Sequence, residues 1–258
     1  MSWNVHSMRG ADARCDPERI ARVIDDARVD VAGLQEVWAP ATAGERDPAE
    51  RLARLTGLTG AFGATLRRHG ADFGNAILSR HPVEATRTYD LSVRGREPRG
   101  CLRADVAMES TRVHFFAVHL GLHWRERRRQ AAQLLSADIL RDTALAFPLV
   151  LVGDFNAWSS RLAVPRWLRR QLTDCAIEAG DESPTFPSRF PLLRLDRAYV
   201  DAAFRVEDVE IVRSRLARQA SDHLPLVVDL SLSEAARQPP AAQPIQAAGV
   251  VTTVREQA

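Results

Sequence analysis

Apolar positions along the chain follow two different periods, and the switches between them mark its elements. Ile20, Val23, Ile24 and Ala27 fall at i, i+3, i+4 and i+7, one face of a helix. Asp16-Pro17 in front of them joins an N-cap to a proline at the first helical position, so a helix starts there. The next segment, Val29 to Val37, is a short apolar run ending in Gln35-Glu36-Val37 and predicts a buried strand. Asp47-Pro48-Ala49-Glu50 repeats the helix-start chemistry, with Glu50 placed for a reciprocal cap. Further strands are predicted over Asn75–Ser79, Leu102–Ala107, Val113–Leu120, Leu149–Gly153, Arg197–Val200, Val206–Val212 and Leu226–Leu232. Longer helical stretches fit Arg125–Arg141 and Arg161–Gln171. Many short strands with about four helices predict a strand-rich α/β architecture.

The pattern fades at both ends. From Ser233 the composition shifts to Ala, Gln and Pro, which predicts a domain over 1–232 and a disordered tail over 233–258. At the start, Trp3-Asn4-Val5-His6 leaves a strand carrying Asn4 almost nothing before it, so either that strand is very short or the true start lies upstream. With 258 residues, 45% of them apolar, one domain with a sizeable core is expected.

Composition excludes more than it assigns. A formal net charge of +2 does not by itself name a nucleic acid as partner. Every permanent side-chain cation is an arginine, which suits planar contacts to phosphate and equally reflects codon bias in a GC-rich genome. The three cysteines, Cys15, Cys101 and Cys175, are dispersed without CxxC spacing, which speaks against a disulfide framework or a structural zinc site. The N-terminus has no signal-peptide pattern and no stretch reaches membrane-spanning length, so a cytoplasmic protein without a transmembrane segment is expected.

Polar residues recur where the apolar strands end: Glu36, His119, Asp154 and Asn156, then Asp196 before Arg197–Val200 and Asp222-His223 before Leu224–Val228. Strand ends at one rim of a sheet carry functional loops. Carboxylates and amide oxygens are hard ligands suited to Mg²⁺, which keeps several waters and needs only one or two carboxylates. Histidines beside such an ion donate to phosphate oxygens or move protons. Taken singly each has a structural explanation. Gly153-Asp154-Phe155-Asn156 is good turn chemistry, and His119 among apolar neighbours reads as a core histidine.

Their order along the chain is what resembles a known family. Trp3-Asn4-Val5-His6, Leu34-Gln35-Glu36-Val37, Gly74-Asn75-Ala76-Ile77-Leu78-Ser79-Arg80, Val118-His119-Leu120, Gly153-Asp154-Phe155-Asn156, Leu195-Asp196-Arg197 and Ser221-Asp222-His223-Leu224-Pro225 are similar to the motifs of the endonuclease/exonuclease/phosphatase (DNase I-like) superfamily, in the small bacterial metal-dependent hydrolase type. The resemblance implies a sandwich of two mixed β-sheets flanked by α-helices, with the site at one edge. It implies a phosphoesterase using Mg²⁺, or Mn²⁺ in its place, with Glu36 as principal metal ligand, helped by Asn4 and Asp222. Asp154 would orient or deprotonate the attacking water, and Asn156 would hold the phosphate or nucleophile. His223, oriented by Asp196, would serve a non-bridging oxygen or the leaving group; His119 would be a second catalytic histidine, and Asn75 would touch the phosphate.

Substrate class is narrower in what it excludes. Abasic endonucleases carry a tyrosine shortly before Pro-Asn where this chain has Ala117-Val118-His119-Leu120, which argues against that activity. The expected substrate is a phosphate diester, in nucleic acid or, alternatively, in a phospholipid head group as for sphingomyelinases. A non-catalytic binder on the same fold would have lost one of the site residues, and none is lost. Thr185-Phe186-Pro187 and the following Phe190 to Arg197 form a loop that either contacts substrate or seats Asp196. Arg125, Arg127, Arg128 and Arg129, with Arg166, Arg169 and Arg170, either grip anions or form solvated helix faces; Trp124, Trp158 and Trp167 either meet a base or a lipid surface or pack. No stable protein partner is expected, and the chain is expected to be monomeric.

Overall fold

Asp16 caps the first helix as its sequence predicts: its carboxylate accepts the Arg19 N–H at 2.8 Å, and the helix runs over Pro17–Asp26 with Ile20, Val23 and Ile24 buried. Asp47 does the same for Pro48–Thr56, accepting from the N–H groups of Ala49 and Glu50. These facts come from a computed structural model, which describes residues 1–38, 47–108, 111–146 and 148–233. The tail expected after Ser233 lies outside the described residues.

Two six-stranded sheets face each other. The first has the order β11 (Phe204–Ile211), β12 (Leu226–Leu232), β1 (Ser2–Asn4), β2 (Val31–Val37), β4 (Ala71–Ser79), β3 (Thr59–Arg68). The second has the order β5 (Val83–Asp90), β6 (Gly100–Ala107), β7 (Arg112–His119), β8 (Leu149–Asp154), β10 (Asp196–Val200), β9 (Thr173–Asp174). The pairs β1–β2 and β7–β8 are parallel and the others antiparallel, so both sheets are mixed. This is the sandwich that the resemblance implies. Among the described residues no helix is long and apolar enough to cross a membrane.

Alternation along each strand divides the core in two. Val113, Phe115 and Ala117 of β7, with Val150 and Val152 of β8, join the layer between the sheets, together with Ile77, while Trp3 and Leu34 have the opposite parity and face the first sheet's outer side. Phe116, Val118 and Leu151 point the other way, under the helices Trp124–Leu134 and Ala163–Leu168. Burying each of the Val, Leu, Ile and Phe side chains among these contributes roughly 1.5–3 kcal/mol before ordering costs. The same parity sends His119 and Asp154, the last residues of β7 and β8, into the inter-sheet space at its rim. Gly33 is needed where the sheets come closest: a Cβ there would lie 2.4 Å from Val152 Cγ2.

Several expectations are corrected. The helix expected over Arg125–Arg141 ends at Leu134, because Ser136 Oγ accepts the Asp138 N–H and the chain passes into turns. The helix expected over Arg161–Gln171 covers Ala163–Leu168. β3 and β5 have no counterpart among the expected strands, nor do the short helices Cys175–Glu178 and Arg215–Ala220.

Candidate active site

Every motif but that of Asn75 delivers its polar side chain to one rim of the sandwich. Asn4 ends β1, His119 ends β7 and Asp154 ends β8. Asp196 opens β10 in register with Asp154. Glu36 gets there by leaving the strand pattern: the register of β2 against β4 shifts between Leu34 and Val37, and Glu36 takes a left-handed φ of 55°. A bulge of this kind re-aims one side chain without moving the strand. Gly153, read from sequence as turn chemistry, lies inside β8, where a Cβ would come 2.0 Å from the Val118 carbonyl oxygen. It lets β8 approach β7 next to Asp154.

Asp154 is the hub. Its Oδ1 accepts the backbone N–H of Asn156 (2.9 Å), and its Oδ2 accepts from Asn4 Nδ2 (3.1 Å). The same Asn4 amide donates to Glu36 Oε1 at 3.1 Å, so Asn4 spaces the two carboxylates. Its own Oδ1 accepts the His6 N–H at 2.9 Å. Asp154 Oδ2 also stands 3.5 Å from His119 Nε2 and 3.8 Å from His223 Nε2, and His119 Nε2 is 4.0 Å from Glu36 Oε1. Asn156, at φ 49°, donates from Nδ2 to the Leu120 carbonyl (2.9 Å) and stands 3.3 Å from His119 Nε2.

The two histidines are held in opposite charge states. Burial, then the charges of Arg99 and His223, lowers the His119 pKa well below its ordinary value. Since the Asn156 amide nitrogen can only donate, His119 Nε2 is an acceptor and the ring is neutral. His223 is also buried, which alone would lower it. The Asp196 carboxylate, bonded to Nδ1 at 2.8 Å, outweighs that with help from Asp154 and raises His223 to about 10. Asp154 is pushed upward by burial, with the His223 charge opposing.

The loop before β10 seats Asp196. Thr185 Oγ1 donates to Asp196 Oδ2 at 2.6 Å, and the Phe186 ring lies 4.8 Å from the His223 ring. Ser221 Oγ donates to the Asn4 carbonyl (2.7 Å), and Trp3 Nε1 to the His223 carbonyl (3.0 Å), which locks the first motif to the last. Asp222 stands half-exposed, 3.5 Å from His6 Nδ1. Asn75 sits one step back, buried, with Nδ2 donating to the Gly100 carbonyl at 2.9 Å. Beside Gly100 is Arg99, buried and close enough for its charge to act on His119. Arg99 belongs to no polar strand end and was not expected here, whereas the loop opening with Thr185 was expected either to contact substrate or to seat Asp196, and Thr185 holds Asp196.

The donor set suits a hard cation with few protein ligands. Among the described residues no three of His, Cys, Asp and Glu stand as a metal-holding group. Asp154 has both oxygens committed within the site. Glu36, with 24% of its side chain exposed, and Asp222, with 43%, keep carboxylate oxygens accessible. One or two carboxylates with the rest water is what Mg²⁺ accepts and a structural zinc site does not.

Residues 1–223 match the Endonuclease/Exonuclease/phosphatase family. The chain is 38% identical over 162 residues, 62% of its length, to YbhP, an uncharacterized protein of Escherichia coli K12; the match spans 63% of that relative. An endonuclease/exonuclease/phosphatase from Beutenbergia cavernae is 27% identical, with a TM-score of 0.73 over 90% of this chain and 70% of its own. A mannosyl-6-phosphatase from Bacteroides thetaiotaomicron shares the fold at 20% identity, with a TM-score of 0.72 over 90% of this chain and 98% of its own. So does D. rerio TDP2 in complex with a single-strand DNA product, at 17% identity and a TM-score of 0.68 over 89% of this chain and 97% of its own.

Proposed function

The chain belongs to the endonuclease/exonuclease/phosphatase family, and from that premise we propose that it hydrolyses a phosphate diester with the help of Mg²⁺ or Mn²⁺. The observation carrying this reading is the position of Asp154 Oδ2, within 3.1 Å of Asn4, 3.5 Å of His119 and 3.8 Å of His223, with Glu36 on the other arm of Asn4. A divalent cation, held through Glu36 with Asp222 and the neighbourhood of Asn4, would neutralise charge on the phosphate and make a water more acidic. Every other role falls to side chains.

Asp154 takes the proton of the attacking water. Burial raises its basicity, and the Asn156 N–H and Asn4 amide fix its direction. His223 presents a charged Nε2–H to a non-bridging oxygen or the leaving group, with Asp196 and Thr185 fixing the ring. The neutral His119 and the amide of Asn156 bracket the nucleophile's side of the phosphate. Asn75 acts through Gly100, placing Arg99 beside His119 where anionic substrate would arrive.

The test is turnover of bis-p-nitrophenyl phosphate, DNA, RNA and phospholipid vesicles by purified protein with Mg²⁺ or Mn²⁺. Asp154→Ala and His223→Ala are each expected to lower the rate by roughly 10²–10⁴-fold. Turnover that survives both substitutions overturns the site.

A further inference from the structure

Large apolar side chains left in water are normal when scattered, and informative when they cluster. Among the described residues the strongly exposed ones are Leu55, Leu122, Trp124, Trp158, Phe190 and Leu192. All but Leu55 lie on three loops that border the active site or, for Trp124, on the first residue of the helix that follows one of them. Leu122 and Trp124 follow His119 at the end of β7; Trp158 follows Asn156 at the end of β8; Phe190 and Leu192 precede Asp196 at the start of β10. The loops touch at their roots, through Asn156 Nδ2 to the Leu120 carbonyl (2.9 Å) and the Phe155 N–H to the Leu195 carbonyl (3.0 Å). Leu122, Phe190 and Leu192 are 75%, 77% and 78% exposed, so their own loops do not shelter them.

The charges on the same loops have one sign. Arg125, Arg128, Arg161 and Arg189 are exposed there, and the single acid within residues 121–129, 157–162 and 186–193, Glu126, is buried. Arg125 and Arg128 stack on the Trp124 ring at 5.0 and 5.9 Å, which brings cation and ring to one level. Apolar tips with arginines around them match the interfacial layer of an anionic bilayer, where aliphatic and aromatic groups enter the acyl boundary and cations meet lipid phosphates. A single-stranded nucleic acid fits less well. It asks for aromatic faces on which bases stack, and Leu122 and Leu192 have none.

We propose that this rim seats the active site on an anionic phospholipid surface, and that the substrate is a phosphate ester presented there. The statement about substrate rests on the hydrolase reading; the statement about docking does not. The full chain is tested by flotation with vesicles of equimolar phosphatidylglycerol and phosphatidylcholine, with phosphatidylcholine alone, and against single-stranded DNA. Expected is binding to the anionic vesicles at least about tenfold tighter than to neutral ones, and partly kept at roughly 0.5 M salt, where charge contacts alone are screened. The triple variant Leu122→Ser, Phe190→Ser, Leu192→Ser should lose about tenfold in vesicle binding while hydrolysing bis-p-nitrophenyl phosphate in solution as the native chain does. Vesicle binding that is absent, or equal in native chain and variant, overturns the proposal. So does a variant that loses DNA binding while the native chain ignores vesicles. Asp154→Ala should still float with anionic vesicles. Docking without turnover therefore sinks only the hydrolase reading, and turnover without docking only this one.

Discussion

His223 carries a charge inside the protein because Asp196 lies 2.8 Å from its Nδ1. The raised pKa fixes a sign: the stabilisation from this pair is present at low and neutral pH and is lost as pH rises through about 10. Asp196→Asn removes the negative partner, so the His223 titration, followed by NMR of the ring protons in metal-free protein, is expected to fall from about 10 by more than one unit. The alkaline limb of activity should move down with it. An unmoved titration would mean that Asp196 does not hold the charge. Thr185→Val tests the next link: the loss should fall on kcat more than on KM, because Thr185 touches Asp196 and not substrate. At this scale the sequence was legible wherever a polar residue interrupted an apolar run, as at Asp154. A raised proton affinity for His223 was expected if Asp196 paired with it, but the lowered one of His119 was not, because it depends on burial and on Arg99, which only the folded chain supplies. The sequence was silent on Arg99 itself, one arginine among many until burial singles it out.

Elements were legible in proportion to how unevenly they face water. β7 and β8 bury nearly every residue and were found with their ends nearly right. β5 buries only Tyr89 fully, so Val83–Asp90 shows no apolar alternation, and its strand form comes from pairing with β6 as an edge. β3 is the edge of the other sheet and was missed for the same reason. Capped helix starts were read correctly because a cap is local chemistry; Asp16→Ala should cost about 1 kcal/mol in urea unfolding. The close approach of the sheets was not readable, since Gly33 looks like any strand glycine. Gly33→Ala places a methyl against Val152 and should destabilise by roughly 1–3 kcal/mol, with the denaturation midpoint as the measure. A neutral result would show that the sheets have slack there.

At the scale of the molecule, the site is a property of the rim where the two sheets open. Among the described residues, carboxylates accessible at that rim are few, and so a divalent cation held by them would exchange with solution. Chelation by EDTA should abolish turnover, and Mg²⁺ should restore it within the same sample. Activity that persists through chelation would leave Glu36 without its proposed role. Family resemblance made the sandwich readable in advance, because motifs from residue 3 to residue 225 keep one order. Which loops would stand out from the rim could not be read that way: Leu122, Phe190 and Leu192 look in the sequence like ordinary core residues.

The three-residue β1 lies between β2 and β12, with Ser2 paired to Gly33 on one side and Leu226 on the other. A ribosome releases Ser2 more than two hundred residues before Leu226. The middle of the first sheet therefore stays open throughout synthesis, and so do the ties from Ser221 to Asn4 and from Trp3 to His223. Contacts of such sequence separation form slowly. On the hydrolase reading, the nascent chain is expected to stay inert until β12 emerges, and a translation product stopped before Leu226 should be a target for chaperones and proteases and not a weak enzyme.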